Sequence, residues 1–242
     1  MNLIIDVGNT FVKLAIFESE TLVFKKVVEL ADTVDEILKL KHDYPKLTQG
    51  IVSSVGRLEK HQIAAIKKEI NLLQLDDETH VPFKNNYDTP KTLGIDRIAL
   101  VSASVYHYSK NNVLIIDAGT CITFDFITDS NVYLGGAISP GIRMRYKGLH
   151  NLTANLPLLE TKVPQHILGT STVNSIHSGV VNGVLNEIDG AIENYKEKYP
   201  DLTVILTGGD AKFLSKQLKS SIFANSNFLL EGLNYILKFN SN

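Results

Sequence analysis

Apolar residues fall in short runs along this chain, and their spacing predicts alternating strands and helices. Residues 2–6 (NLIID) and 11–17 (FVKLAIF) are β-branched-rich runs joined by Val7-Gly8-Asn9-Thr10, which reads as a hairpin whose turn carries polar atoms. Leu22 to Val28 continues the same antiparallel sheet. Val34, Ile37, Leu38 and Leu40 recur at a helical spacing, predicting a helix over Asp32 to Lys41 capped by Asp32. Gly50 to Val55 reads as a buried strand, and Glu59 to Leu73 as an amphipathic helix with Ile63, Ile66 and Ile70 on one face. A further helix is expected from near Gly94 to about Tyr108.

After the polar break Lys110-Asn111-Asn112 the opening pattern returns. Residues 113–117 (VLIID) lead through Ala118-Gly119-Thr120 into 121–127 (CITFDFI) and a third strand, Val132 to Ile138, so that Asp117 repeats Asp6. A repeat of so long a period marks two similar halves and not a solenoid, expected here as domains 1–110 and 111–242. Any two hairpins share apolar strands and a glycine turn, so the repeat alone leaves that plainer reading open. The second half continues with a helix from Val173 to Lys196, a strand Thr203 to Leu206, the turn Thr207-Gly208-Gly209-Asp210, and helices near 211–218 and 229–238.

Composition narrows the class. Across 242 residues, 24 basic against 26 acidic side chains leave a net charge of −2, without the basic excess of a dedicated nucleic-acid binder. One cysteine can form neither an internal disulfide nor a cysteine zinc site. No apolar run approaches the roughly 20 residues needed to span a bilayer. The N-terminus, MNLIIDVGNT, lacks the basic and long apolar segments of a secretory signal. A soluble, cytoplasmic protein is expected, with no nucleic-acid or membrane partner.

The turns suggest chemistry. Gly8 allows close backbone approach to a ligand, and the turn amides with Asn9 and Thr10 supply donors to phosphate oxygens. Strand alternation puts Lys13 on the side of Phe11 and Ala15, where it could add a point charge. An ionised Asp6 beside phosphate needs a cation between, so it reads as a Mg²⁺-side group, directly or through water. A plain hairpin with a capping Asp explains one such motif equally well. The second copy, Asp117-Ala118-Gly119-Thr120, and the third glycine turn at Thr207-Gly208-Gly209-Asp210 together make the pattern strong.

The order DxGNTxxK (Asp6 to Lys13), GxDR (Gly94 to Arg97), DAGT (Asp117 to Thr120) and GGxIxPG (Gly135 to Gly141) resembles that of the type III pantothenate kinases. These belong to the acetate and sugar kinase, heat-shock ATPase and actin superfamily. The first and third motifs are widespread there, whereas GxDR together with GGxIxPG is specific to the family. The resemblance implies an α/β fold of two similar actin-like (ribonuclease H-like) domains. Each would be a mixed sheet opening with an antiparallel hairpin and flanked by helices, with an ATP cleft between the two. It implies phosphoryl transfer from ATP to the terminal hydroxyl of pantothenate, giving 4′-phosphopantothenate, the first step toward coenzyme A. Mg²⁺ and a monovalent cation, K⁺ or NH₄⁺, are the implied cofactors. Rival readings are another small-molecule kinase or a phosphatase on the same scaffold, or a non-catalytic nucleotide-dependent regulatory protein.

Carried over residue by residue, the resemblance assigns ATP binding to Asp6, Val7, Gly8, Asn9, Thr10, Phe11, Val12 and Lys13, with Thr120 a further contact. The proton acceptor falls on Asp96, near a helix start that favours its ionised form; taken alone, it would read as an N-terminal helix charge. The pantothenate site falls on Tyr87, Gly94, Ile95, Asp96, Arg97 and Thr172. Arg97 could pair with the pantothenate carboxylate or brace Asp96, and Tyr87 could be an ordinary surface tyrosine. Asp117 corresponds to the monovalent-cation site, although its residue type alone does not separate that role from a second Mg²⁺ ligand. The family's active unit is a homodimer whose acid site the partner chain closes. The Gly135–Gly141 turn and the helix after Val173 are therefore candidate interface, and that helix could equally be buried in its own domain. The seven histidines form no ligand pair, and Cys121 reads as a small buried hydrophobe.

Overall fold

The computed structural model describes residues 1–8, 11–53 and 58–241. The chain divides into two units, Met1–His107 with Asn227–Asn242, and Tyr108–Ser226. The residues from Asn227 onward cluster with the first unit.

In the first unit the opening apolar runs become β1 (Asn2–Val7), β2 (Phe11–Glu18) and β3 (Thr21–Glu29), paired antiparallel in sequence order. β4 (Gln49–Val52) adds parallel to β1, and β5 (Asn71–Gln74) parallel to β4, giving the order β3-β2-β1-β4-β5. The expected end of β4 at Val55 lies outside the described residues. Leu3, Ile5 and Val7 alternate onto one face and join Ile37 and Leu40 of α1 (Thr33–Asp43) and Ile63 and Ile66 of α2 (Lys60–Glu69) in a common core. Asp32 occupies the N-cap position of α1, but its side chain makes no capping bond.

The helix expected to reach Leu73 ends at Glu69. Ile70 is extended, and Asn71–Gln74 becomes β5, with Asn71 opposite Gln49. The open edge of β4 offers those backbone groups a ladder, and a buried sheet position for Leu72 outweighs a further helical turn. A two-residue strand β6 (Lys84–Asn85) and a 3₁₀ turn at Pro90–Thr92 lead into α3 (Ile95–Tyr108).

The last helix, α8 (Phe228–Phe239), packs on β1 and β4. A Cβ on Gly232 would lie 1.9 Å from the Ala99 carbonyl oxygen, so only glycine lets α8 and α3 approach this closely. Buried amides secure the join. Asn2 Nδ2 donates to Asn234 Oδ1 at 2.7 Å, Asn234 Nδ2 donates to the Ser19 carbonyl at 3.0 Å, and Gln49 Nε2 donates to Asn2 Oδ1 at 2.9 Å.

The second unit repeats the first strand for strand. β7 (Val113–Ala118), β8 (Cys121–Ile127) and β9 (Val132–Pro140) pair antiparallel, β10 (Thr203–Thr207) runs parallel to β7, and β11 (Phe223–Ala224) runs parallel to β10. The order β11-β10-β7-β8-β9 is that of β5-β4-β1-β2-β3. Its core joins Leu114, Ile116 and Phe124 to α4 (Ile142–Asn151), α5 (Thr172–His177) and α6 (Gly183–Lys198). The helix expected over 173–196 is thus α5 and α6 joined by a π turn at Ser178–Asn182, its inner face buried in its own unit. α7 (Ala211–Leu214) is shorter than expected, and beyond it the Lys219 and Ser220 amides donate to the Asp189 carboxylate at 3.3 and 3.1 Å. The fold is α/β, with two mixed sheets, each opening on an antiparallel hairpin and flanked by helices. Among the described residues no helix is long and apolar enough to cross a membrane.

Candidate functional site

Antiparallel register places Asp6, near the end of β1, directly opposite Lys13. Lys13 Nζ lies 3.1 Å from Asp6 Oδ2, and the lysine is half exposed while the carboxylate is largely covered. Ser53 supplies the second contact: its hydroxyl donates to Asp6 Oδ1 at 3.0 Å and accepts from the Val7 amide at 3.2 Å. The Ser53 amide donates to the Ile5 carbonyl at 2.9 Å, continuing the parallel ladder one residue beyond β4. Sequence reading missed Ser53. Nothing local marks it, since only the β1–β4 pairing brings it to Asp6. The Gly8 amide closes the hairpin end on the Phe11 carbonyl at 3.0 Å. Phe11 is exposed, whereas Val7 and Val12 are buried and serve the core. Asn9 and Thr10 lie outside the described residues.

The second cluster of the first unit opens α3. Asp96 sits exposed in the first helical turn, and its Oδ1 accepts from the Arg97 amide at 2.9 Å. A Cβ on residue 94 would stand 2.4 Å from that same oxygen, so Gly94 is what lets the carboxylate fold back over the helix start. Arg97 is buried, and its guanidinium carbon lies 5.4 Å from the ring centroid of Tyr87, a cation–π distance. Tyr87 is therefore gathered to Gly94, Ile95, Asp96 and Arg97. Arg97 braces Asp96 through its backbone while its side chain engages the tyrosine.

In the second unit three motifs distant in sequence converge on one turn. Asp117 faces Thr123 across the β7–β8 hairpin and Thr207 across the parallel β7–β10 pair, so all three share a sheet face. Thr123 thus takes the place that Lys13 holds in the first unit. Its Oγ1 is buried with no hydrogen-bond partner among the described residues. Gly208 has φ +95°, and a Cβ there would stand 2.3 Å from the Ala118 carbonyl and 2.4 Å from Asp117 Oδ1. The Asp210 amide donates to the same Ala118 carbonyl at 2.9 Å, and burial raises the Asp210 carboxyl above its ordinary range. Gly141, ending the GGxIxPG motif, donates to the carbonyl of Thr120 at 3.1 Å, with Thr120 itself exposed.

Thr172 begins α5, whose cap is Ser171, accepting from the Asn174 amide at 3.2 Å. Thr170, Ser171, Thr172 and Ser175 line an open cavity of about 650 Å³ together with Leu149, Leu156 and Ile176. A lining that mixes hydroxyls with apolar side chains suits a small polar ligand carrying alkyl groups.

Residues 2–194 match the family described as type III pantothenate kinase. A type III pantothenate kinase of Christiangramia forsetii is 55% identical over 240 residues, covering 99% of each chain. Among solved structures, a Baf-family chain from Campylobacter jejuni is similar with a TM-score of 0.63 at 24% identity over 98% of both chains. A glucokinase from an Antarctic psychrotroph follows at a TM-score of 0.52 and 11% identity, again over 98% of both. These two likenesses carry the fold alone.

Proposed function

The chain belongs to the type III pantothenate kinase family and is an ATP-dependent kinase that acts on pantothenate, and we propose the following division of labour among its residues. Asp96 accepts the proton of the terminal hydroxyl as that oxygen forms its bond to the γ-phosphorus. The bond from that phosphorus to the β–γ bridging oxygen breaks, and ADP and 4′-phosphopantothenate result. Phosphoryl transfer asks mainly for positioning and charge neutralisation, so one carboxylate in the right place suffices. The observation that carries this reading is Asp96 itself: exposed, held by the Arg97 amide and permitted its position by Gly94.

Gly94, Ile95 and Arg97 with Tyr87 are assigned to pantothenate, the guanidinium pairing with its carboxylate, and Thr172 to the same substrate. The glycine turn around Gly8, Lys13 and Thr120 are assigned to ATP. Mg²⁺, when bound, neutralises charge on the phosphate oxygens. Both Asp6 oxygens already accept hydrogen bonds, from Ser53 and Lys13. This favours a contact to the ion through water, which suits an ion that keeps several waters and takes few carboxylates. Asp117, with the buried Thr123 hydroxyl opposite it, fits a monovalent cation: an anionic oxygen and a neutral one of low field strength. We place the protein in the cytoplasm as a homodimer. Ile138, Leu152, Ile167, Leu168 and Val173 expose apolar side chains on the second unit, which supports that assembly.

The test is an acceptor screen with pantothenate, a hexose and acetate, run in K⁺ and again with Na⁺ replacing it. Product from pantothenate alone, and more of it in K⁺, is expected. No pantothenate phosphorylation in either medium would sink the proposal.

A further inference from the structure

Between α4 and α5 the chain runs for residues 152–171 without helix or strand. Irregular stretches of this length inside a compact unit are uncommon and usually serve function. This strap is fastened to the two helices beneath it. Arg143 Nη1 donates to the Leu159 carbonyl at 2.6 Å, His150 Nδ1 to the Leu156 carbonyl at 2.7 Å, and Ser175 Oγ to the Gly169 carbonyl at 3.2 Å. A Cβ on Gly169 would lie 2.4 Å from the Ser175 amide nitrogen, so the strap rests directly on the backbone of α5.

Under the strap lies a buried polar pair that the reaction described above does not use. Tyr146 of α4 and His177 at the end of α5 are both buried, with Tyr146 Oη 2.7 Å from His177 Nδ1. This contact joins the phenol oxygen directly to the imidazole ring in a site closed to solvent. Burial raises the Tyr146 phenol above its ordinary value, so the group stays protonated and has a proton to offer the ring. The Tyr146–His177 pair thus ties α4 to the far end of the helix that Thr172 begins, and these are the two helices to which the strap is fastened.

We propose that Tyr146 and His177 are positioning residues for pantothenate binding: neither touches the substrate, and together they set the strap and α5 so that Thr172 is presented to it. The inference rests on the assignment of Thr172 made above. Tyr146→Phe keeps the ring in the core and removes only the hydroxyl. It should raise the KM for pantothenate about three- to tenfold, leaving kcat and the KM for ATP within twofold. A merely structural role would lower the amount of active enzyme and leave both KM values alone. His177→Asn, which keeps an acceptor where Nδ1 stands, should retain the wild-type KM, and His177→Phe should match Tyr146→Phe. In a Thr172→Ala background, Tyr146→Phe should add nothing.

The two ideas fail differently. If Thr172→Ala leaves the pantothenate KM unchanged, the assignment of Thr172 falls, and this inference with it. If Thr172→Ala raises the KM while Tyr146→Phe and His177→Phe do not, only the positioning role is overturned. Equal KM effects of Tyr146→Phe in the wild-type and Thr172→Ala backgrounds overturn it as well.

Discussion

Asp6 and Lys13 are directly opposite one another across the β1–β2 hairpin, their charged groups 3.1 Å apart. Half exposed, this ion pair contributes little to stability, and the ammonium is available to an incoming phosphate. Lys13→Met should raise the KM for ATP about ten- to hundredfold, in line with a charge-assisted hydrogen bond of about 1.5–3 kcal/mol. The KM for pantothenate should hold. Steady-state kinetics with each substrate varied in turn checks this, and an unchanged KM for ATP would remove Lys13 from the nucleotide site.

Ser53 serves two partners at once. In Ser53→Ala the Val7 amide loses its acceptor and Asp6 loses one of its two donors. A loss of about 1–3 kcal/mol in unfolding free energy is expected from the unsatisfied buried group, together with a higher Mg²⁺ concentration for half-maximal rate. Urea unfolding and a Mg²⁺ titration read the two effects separately.

For Asp96→Asn the expected loss in kcat is about 10²- to 10⁴-fold, the usual span of general-base catalysis. ATP binding should stay within twofold by calorimetry, because the substitution keeps the Oδ1 acceptor for the Arg97 amide. Near-normal turnover would refute the assignment of the base.

Two adjacent glycines should behave oppositely. Gly208→Ala forces a side chain into a left-handed residue, φ +95°, with a carbonyl oxygen 2.3 Å away. It should cost about 1–3 kcal/mol or more and disturb Asp117. Gly209→Ala meets nothing within 4 Å, and should stay within about 0.5 kcal/mol of wild type. Matched melting temperatures for the two variants would contradict this account of the turn.

The Tyr106 phenol and then Lys238 hold the Glu20 carboxyl below its ordinary 4.5. Burial and Glu20 push the Tyr106 phenol up to about 12. A lowered carboxyl contributes stability that is present above 4.5 and lost as pH falls through the folded value. A raised phenol contributes stability that is present below its ordinary 10 and lost as pH rises toward 12. Tyr106→Phe should therefore flatten the stability profile on both limbs, below pH 5 and above pH 10. Chemical denaturation across that range measures it, and an acid limb as steep as wild type would show that the bond to Glu20 carries none of the slope.

By itself, the sequence determined what local chemistry decides. Alternation in NLIID and VLIID marks β1 and β7, and their shared order of strand, glycine turn and strand exposes the repeat. The GxDR motif points to Asp96 and Arg97 because helix-start chemistry and family pattern coincide there. What depends on partners far along the chain was left to the tertiary structure. Leu72 sits in a strand because β4 offers an open edge, and helical spacing cannot register that. Ser53 reaches Asp6 only through the pairing of β4 with β1, and Gly208 meets Asp117 only through that of β10 with β7. The last helix returns to the first unit because buried amides at Asn2 and Asn234 need one another, and Gly232 alone allows it to approach α3 so closely. Hydrogen bonds and close contacts of this kind act across tens or hundreds of residues. Only the folded chain sets those distances.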